Sequence, residues 1–404
     1  MQPRHLYVHV PFCKRRCSYC DFAVHATTSP PVDAWLAATA SELGLRAKEW
    51  LPPEEQHAVR RDGGTGRSDG SGGPAAPGRL DTLYVGGGTP SVLGPGAMAR
   101  LRDAVEHAFA PAPDMEWTVE ANPESFDPAL ARDWAAAGVN RVSLGAQSFH
   151  EPALKWMGRL HGPDGPARAV AAARAAGLDN VSVDLIFGLP EALGRDWSAD
   201  LARVLELEPA HISLYGLTAE PGAPLGRWVR QGRARMPDED AYGAEYLEAA
   251  ARLTDAGYEH YEVSNFARPG LASRHNRAYW VGVPYLGLGV GAHSYAPPRR
   301  WWNLRDWPAY ANALAAGEPP VAGEEVLSAD TRTLEQTWLG LRTADGLDAG
   351  ALSGRQLGRA EAWADQGWAR IERGRVRLTS LGWLLLDRLA VELDSAGPHA
   401  ADPA

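Results

Sequence analysis

The sequence predicts an α/β fold: a parallel sheet wound as a partial (β/α)6 TIM-like barrel over residues 1–222, then a smaller α+β region over 223–324, then a winged-helix-like C-terminal tail over 325–404. Three observations carry this expectation. Six short apolar runs alternate with Ala/Leu/Arg-rich stretches of helical spacing, which is how βαβ units read. Polar residues gather where the runs end, and in β/α barrels the C-terminal strand ends carry the chemistry. After residue 325 the pattern changes to helices flanking a β-hairpin.

"LYVHVPF" (6–12) alternates as a strand does, with Tyr7 and His9 on one face. A helical stretch follows over about 33–50. Residues 60–79, including "RRDGGTGRSDGSGG", have no apolar period and read as a disordered Gly/Ser-rich insertion, not a phosphate loop. "DTLYVGGGTPS" (81–91) is a strand running into three glycines, where backbone can approach a ligand closely and offer it N–H groups. Further strands are "MEWTVEANPE" (115–124), "VNRVSLGAQSF" (139–149), "LDNVSVDLIFGLP" (178–190) and "AHISLYGLTAEPG" (210–222), with helices near 95–109, 128–137, 165–176 and 196–206. Their ends carry Gly86 to Thr89, Glu120 and Asn122, Gln147 and Ser148, and Asp184. A helix cap explains any one of these; recurrence on successive strands points to a site. In the tail, "TLEQTWLGLRTADGLD" reads as a helix and turn, and "GWARIERGRVRLTSLGWLLLDRLAVEL" as a hairpin and an amphipathic helix.

The totals describe a globular chain of 404 residues with 45% hydrophobic and 22% charged residues. A net charge of −10 excludes a broad electrostatic footprint for nucleic acid, and the tail has no dense basic stripe. There is no apolar run long enough to span a bilayer and no signal-peptide core, so a cytoplasmic location is expected. The three cysteines, Cys13, Cys17 and Cys20, all lie in "VPFCKRRCSYCDF". Such a loop can hold an iron–sulfur cluster with one iron left open. It can also hold zinc, with a histidine such as His9 as fourth ligand, and Cys17-Ser-Tyr-Cys20 has the gap of a redox thiol pair.

Cys-x3-Cys-x2-Cys just after a first strand resembles the radical S-adenosylmethionine (SAM) superfamily, and "YVHVPFCKRRCSYCDF" resembles its branch of oxygen-independent coproporphyrinogen III oxidases and their relatives. The resemblance runs from Tyr7 to about Leu347. It implies that Cys13, Cys17 and Cys20 bind a 4Fe-4S cluster whose fourth iron binds SAM. Tyr7, Gly87, Gly88, Thr89, Glu120, Gln147, Arg159 and Asp184 match SAM-side positions. The chemistry implied is one-electron cleavage of SAM, which requires an electron donor for the cluster. Lys14, Arg15 and Arg16 lie inside the loop, where they favour the reduced cluster or are solvated charges.

Two departures from the oxidases favour the haem-chaperone type of the branch. Phe22 stands where the oxidases have a further cysteine, and the first strand begins almost at Met1. His275-Asn276-Arg277-Ala278-Tyr279-Trp280 also resembles the HNxxYW motif of the chaperone type, where the histidine is a haem ligand. Tyr279, Trp280 and Tyr285 then supply an aromatic wall, and His293 is a second candidate ligand. By local chemistry alone, His275 and Asn276 form a turn and Trp280 anchors a core. The resemblance implies a haem chaperone that delivers haem to respiratory acceptor proteins, with transient membrane association and homodimer formation. The alternative is a radical SAM oxidoreductase acting on coproporphyrinogen III or another tetrapyrrole.

Overall fold

The structure is a computed structural model that describes residues 3–49 and 78–396. Its strands run in the order β1 (His5–Val10), the short pair β2 (Phe12–Cys13) and β3 (His25–Ala26), β4 (Gly78–Gly87), β5 (Phe109–Ala121), β6 (Arg141–Gln147), β7 (Val181–Phe187) and β8 (His211–Gly216). β1, β4, β5, β6, β7 and β8 are parallel neighbours in that order, with helices such as Ala97–Glu106, Pro128–Ala137, Gly165–Ala175 and Trp197–Glu206 as crossovers. The six expected strands therefore form one parallel sheet, an open partial barrel.

The insertion expected over 60–79 lies outside the described residues as far as 77. Gly78 and Arg79 instead begin β4, paired with Phe109 and Ala110 of β5.

The sheet is wider than the sequence suggests. β9 (Glu259–Glu262), β10 (Asn265–Ala267) and β11 (Leu286–Leu288) join it, giving the order β11-β1-β4-β5-β6-β7-β8-β10-β9. β10 is antiparallel to both its neighbours, and β11 is parallel to β1. The sheet thus crosses residue 222. Three-residue strands such as β11 carry no readable period.

The strand faces explain what the barrel encloses. One face of each strand is fully apolar, as in Leu6, Val8 and Val10, Leu83 and Val85, Val142 and Leu144, Val183 and Leu185, and packs into the helical layer. The alternate residues are polar: His5, Tyr7 and His9; Thr82 and Tyr84; Glu116, Thr118 and Glu120; Arg141 and Ser143; Ser182 and Asp184; His211 and Ser213. Buried polar groups must pair, and these do so across strands, as in Ser182 Oγ to His211 Nδ1 (2.8 Å) and Ser143 Oγ to Asp184 Oδ1 (3.1 Å). The interior is therefore a hydrogen-bonded polar core below an open end.

Beyond the barrel, β12 (His293–Ala296), β13 (Arg299–Asn303) and β14 (Val321–Val326) form an antiparallel sheet. The tail places the helix Ala329–Leu341 before a small sheet of β15 (Leu347–Asp348), β16 (Ala369–Glu372) and β17 (Arg375–Leu378), closed by the helix Leu386–Ser395. It docks on the barrel edge through Arg342 Nε to Glu262 Oε2 (3.0 Å), where the Glu262 side chain is fully buried. Breaking such a pair leaves an uncompensated charge.

Candidate functional site

A cavity of about 1070 Å3 opens at the C-terminal ends of the strands. The cysteine loop lies at one end of its wall. Ser18 N donates to Met157 O (3.1 Å) and Leu225 N to Ser18 O (2.8 Å), so the loop is tied to two flanking helices. Thr27 N donates to Cys13 O (2.8 Å). All three thiols line the cavity.

The cysteines are joined by a polar chain. Thr89 Oγ1 donates to Cys13 Sγ (3.3 Å) and accepts from Asn122 Nδ2 (3.2 Å). Arg159 Nη2 donates to Asn122 Oδ1 (2.6 Å) and to Gly145 O (2.5 Å), while its Nη1 lies 3.9 Å from Cys17 Sγ. Arg159 thus lines the cavity beside the cysteine loop. Asn122, which the sequence places at a strand end without a role, is the link between Thr89 and Arg159.

This donor set suits a metal cluster. Burial pushes the Cys13 thiol up to about 11, the neighbouring thiols adding to it, and burial raises Cys20 as well. Thiolates in this loop therefore call for a cationic group beside them at neutral pH. Among the described residues no three His, Cys, Asp or Glu side chains are already grouped as a metal site. His9 is poorly placed to complete a zinc site. Its Nε2 donates to Ala23 O (3.0 Å) and its Nδ1 accepts from Tyr7 OH (3.0 Å), and burial lowers it to about 4.

The glycine loop differs from expectation. Gly87 N donates to Glu120 Oε2 (2.9 Å), Gly88 N to Val10 O (2.8 Å) and Thr89 N to Phe12 O (2.8 Å), so these N–H groups are used within the protein. The glycines are needed for packing. A Cβ at Gly88 would come within 2.6 Å of Phe12 O, and one at Gly87 would strike the His9 ring. Tyr84 OH donates to the other oxygen of Glu120 (2.8 Å). Burial, with Asp184 adding, pushes Glu120 up to about 7.

Gln147 lines the cavity from a left-handed conformation (φ 67°) where β6 shifts register. A non-glycine residue held there stores strain of about 1–3 kcal/mol, which marks a position set by its surroundings. Asp184 also faces the cavity, with Ser143 and Ser182 donating to it; it is no helix cap. Ser148 is, by contrast, structural: it is fully buried and donates to Asp200 (2.6 Å).

The cavity is also lined by Tyr279, Trp280 and Tyr285, and by Phe22, which is 63% exposed. His275 lies behind this wall. Its helix Arg274–Trp280 is capped by Ser273, and Glu116 accepts from His275 N (3.0 Å). Its Nδ1 is hydrogen-bonded to Thr82 Oγ1 (2.7 Å) and its Nε2 to Tyr279 OH (2.9 Å), and burial lowers it to about 3. His275 is not on the cavity wall; Tyr279 is. His293 lines the cavity and stacks on Trp302.

Residues 72–201 match the Radical SAM superfamily, a span that begins after the cysteine loop. The chain is 39% identical over 391 residues to the haem chaperone HemW of Mycobacterium tuberculosis (strain H37Rv), covering 96% of this chain and 93% of that protein. It is 36% identical to the haem chaperone HemW of Escherichia coli (strain K12), covering 72% and 70%. Among solved structures it resembles the coproporphyrinogen III oxidase HemN from Escherichia coli, described as a radical SAM enzyme, with a TM-score of 0.77, 22% identity, and 97% and 90% coverage. That likeness shows the fold.

Proposed function

The chain belongs to the HemW family of radical SAM proteins, and from that premise we propose that it is a haem chaperone, binding haem beside a SAM-ligated 4Fe-4S cluster and delivering haem to respiratory acceptor proteins. One observation carries the reading. A single cavity joins the cysteine loop to an aromatic wall and, at about 1070 Å3, lies at the top of the ~300–1,000 Å3 usual for ligand pockets.

At the near end, Cys13, Cys17 and Cys20 hold the cluster, which when bound supplies an electron to the sulfonium of SAM. Tyr7, Gly87, Gly88, Thr89, Glu120, Gln147, Arg159 and Asp184 surround the SAM position. With its N–H donors used internally, the Gly87–Thr89 loop turns acceptors toward a ligand ammonium. Glu120 and Asp184 accept from donors of the sugar and amine, and Arg159 reaches Cys17 directly and the Cys13 side through Asn122 and Thr89.

At the far end, Tyr279, Trp280 and Tyr285 pack against the haem face. We assign the accessible imidazole to His293. His275 acts through Tyr279, whose hydroxyl it holds, and to ligate iron itself it must release that contact. No helix among the described residues is long and apolar enough to cross a membrane. Cytoplasmic haem delivery with transient membrane contact, an electron donor for the cluster, and homodimer formation complete the proposal.

The test uses anaerobically reconstituted protein titrated with haem, with coproporphyrinogen III, SAM and a reductant assayed in parallel. Haem should bind, His293→Ala should change the haem spectrum more than His275→Ala, and decarboxylation should be absent. Release of 5′-deoxyadenosine with decarboxylation, and no haem retained, overturns the reading in favour of the oxidoreductase.

A further inference from the structure

The helix Ala329–Leu341 also lines the cavity, and it brings a cation without an ion-pair partner among the described residues. Arg332, Glu335, Gln336 and Leu339 face the cavity at helical spacing. Glu335, the nearest acid on that face, is committed to Arg300 (2.9 Å), which also holds Glu325 (2.6 Å). Arg332 has no ion pair among the described residues, and its Nε is buried with no hydrogen-bond acceptor. The indole Nε1 of Trp280, on the aromatic side of the same cavity, is likewise buried and without an acceptor. Arg305, another cation lining the cavity, already donates to Asp21 O (2.7 Å).

Buried donors left without acceptors are costly unless a ligand supplies them. A guanidinium is the group best suited to grip a carboxylate with two parallel hydrogen bonds. We propose that Arg332 is the anchor for a carboxylate on the edge of the planar ligand, with Trp280, whose ring carries Arg342 on one face, donating its Nε1–H to the same molecule. This rests on the haem reading: the ligand class is a planar tetrapyrrole with a free carboxylate side arm, and a propionate of haem is the group held. Arg332 thereby selects the acid over its neutral ester and fixes which edge enters the cavity.

The full-length protein is titrated with haem and with haem dimethyl ester, and Arg332→Leu and Arg332→Lys are titrated with both. Wild type should bind haem at least about tenfold more tightly than the ester, as expected for a lost charge-assisted contact. Arg332→Leu should bind both alike, at the ester's affinity, and Arg332→Lys should recover part of the preference. Thermal melts check that each variant folds, and the wild-type comparison needs no variant. Equal affinity of wild type for haem and ester, or a folded Arg332→Leu that keeps the preference, overturns the anchor while leaving the haem reading standing. Failure of wild type to bind either compound overturns the haem reading and the anchor with it.

Discussion

Glu120 shows how a single environment sets a residue's behaviour. It accepts from Tyr84 and Gly87 and lies above the buried Arg141, yet burial dominates and its pKa rises to about 7. An acid raised in the folded state binds its proton more tightly there than in the unfolded chain. Between its ordinary value near 4.5 and about 7, stability therefore falls as pH rises, and the loss is complete above 7. Replacing Glu120 with Gln should raise the melting temperature of the cluster-free protein at pH 8 and change it little at pH 4; an equal effect at both values would contradict the assignment. A glutamate at the end of a strand is legible in "TVEANPE". Its titration is not, because the burial and the partners come from β4 and β7.

At the scale of elements, the end of β4 illustrates how a motif can be right for a different reason. Three glycines after a strand suggest ligand contact, and the loop does line the cavity, but the tightest constraint is internal. Gly87 has φ 107° and its missing Cβ makes room for the His9 ring, whereas Gly194, left-handed at φ 63° and ψ 29°, faces open space. Gly87→Ala should cost about 2–4 kcal/mol, combining backbone strain with overpacking. Gly194→Ala carries the strain alone and should cost about 1 kcal/mol. Urea unfolding midpoints compare the two, and similar losses would mean that the His9 contact yields easily. β1, β4, β5, β6, β7 and β8 and their crossover helices are readable because each has its own apolar period. β11 is not, since it is ordered by β1 beside it.

At the scale of the molecule, the tail forms part of the site. The helix Ala329–Leu341 closes the cavity and is anchored by Arg342 on Glu262 and by Trp383 Nε1 donating to Leu341 O (2.9 Å). Haem binding should therefore raise hydrogen-exchange protection in 274–285 and 329–341 together, while β15, β16 and β17 change little. Protection confined to 6–22 and 86–89 would instead place the ligand wholly at the cysteine end. By itself the sequence determined the parallel α/β barrel, the thiol-bearing loop and the set of polar strand ends, because these follow from short-range spacing and the period of two along each strand. Only the tertiary structure decided that His275 stands behind Tyr279, that Asn122 links Thr89 to Arg159, and that Arg332 has no ion pair among the described residues when Glu335 turns to Arg300. Burial and pairing depend on partners far apart in the chain, and local spacing carries no record of them.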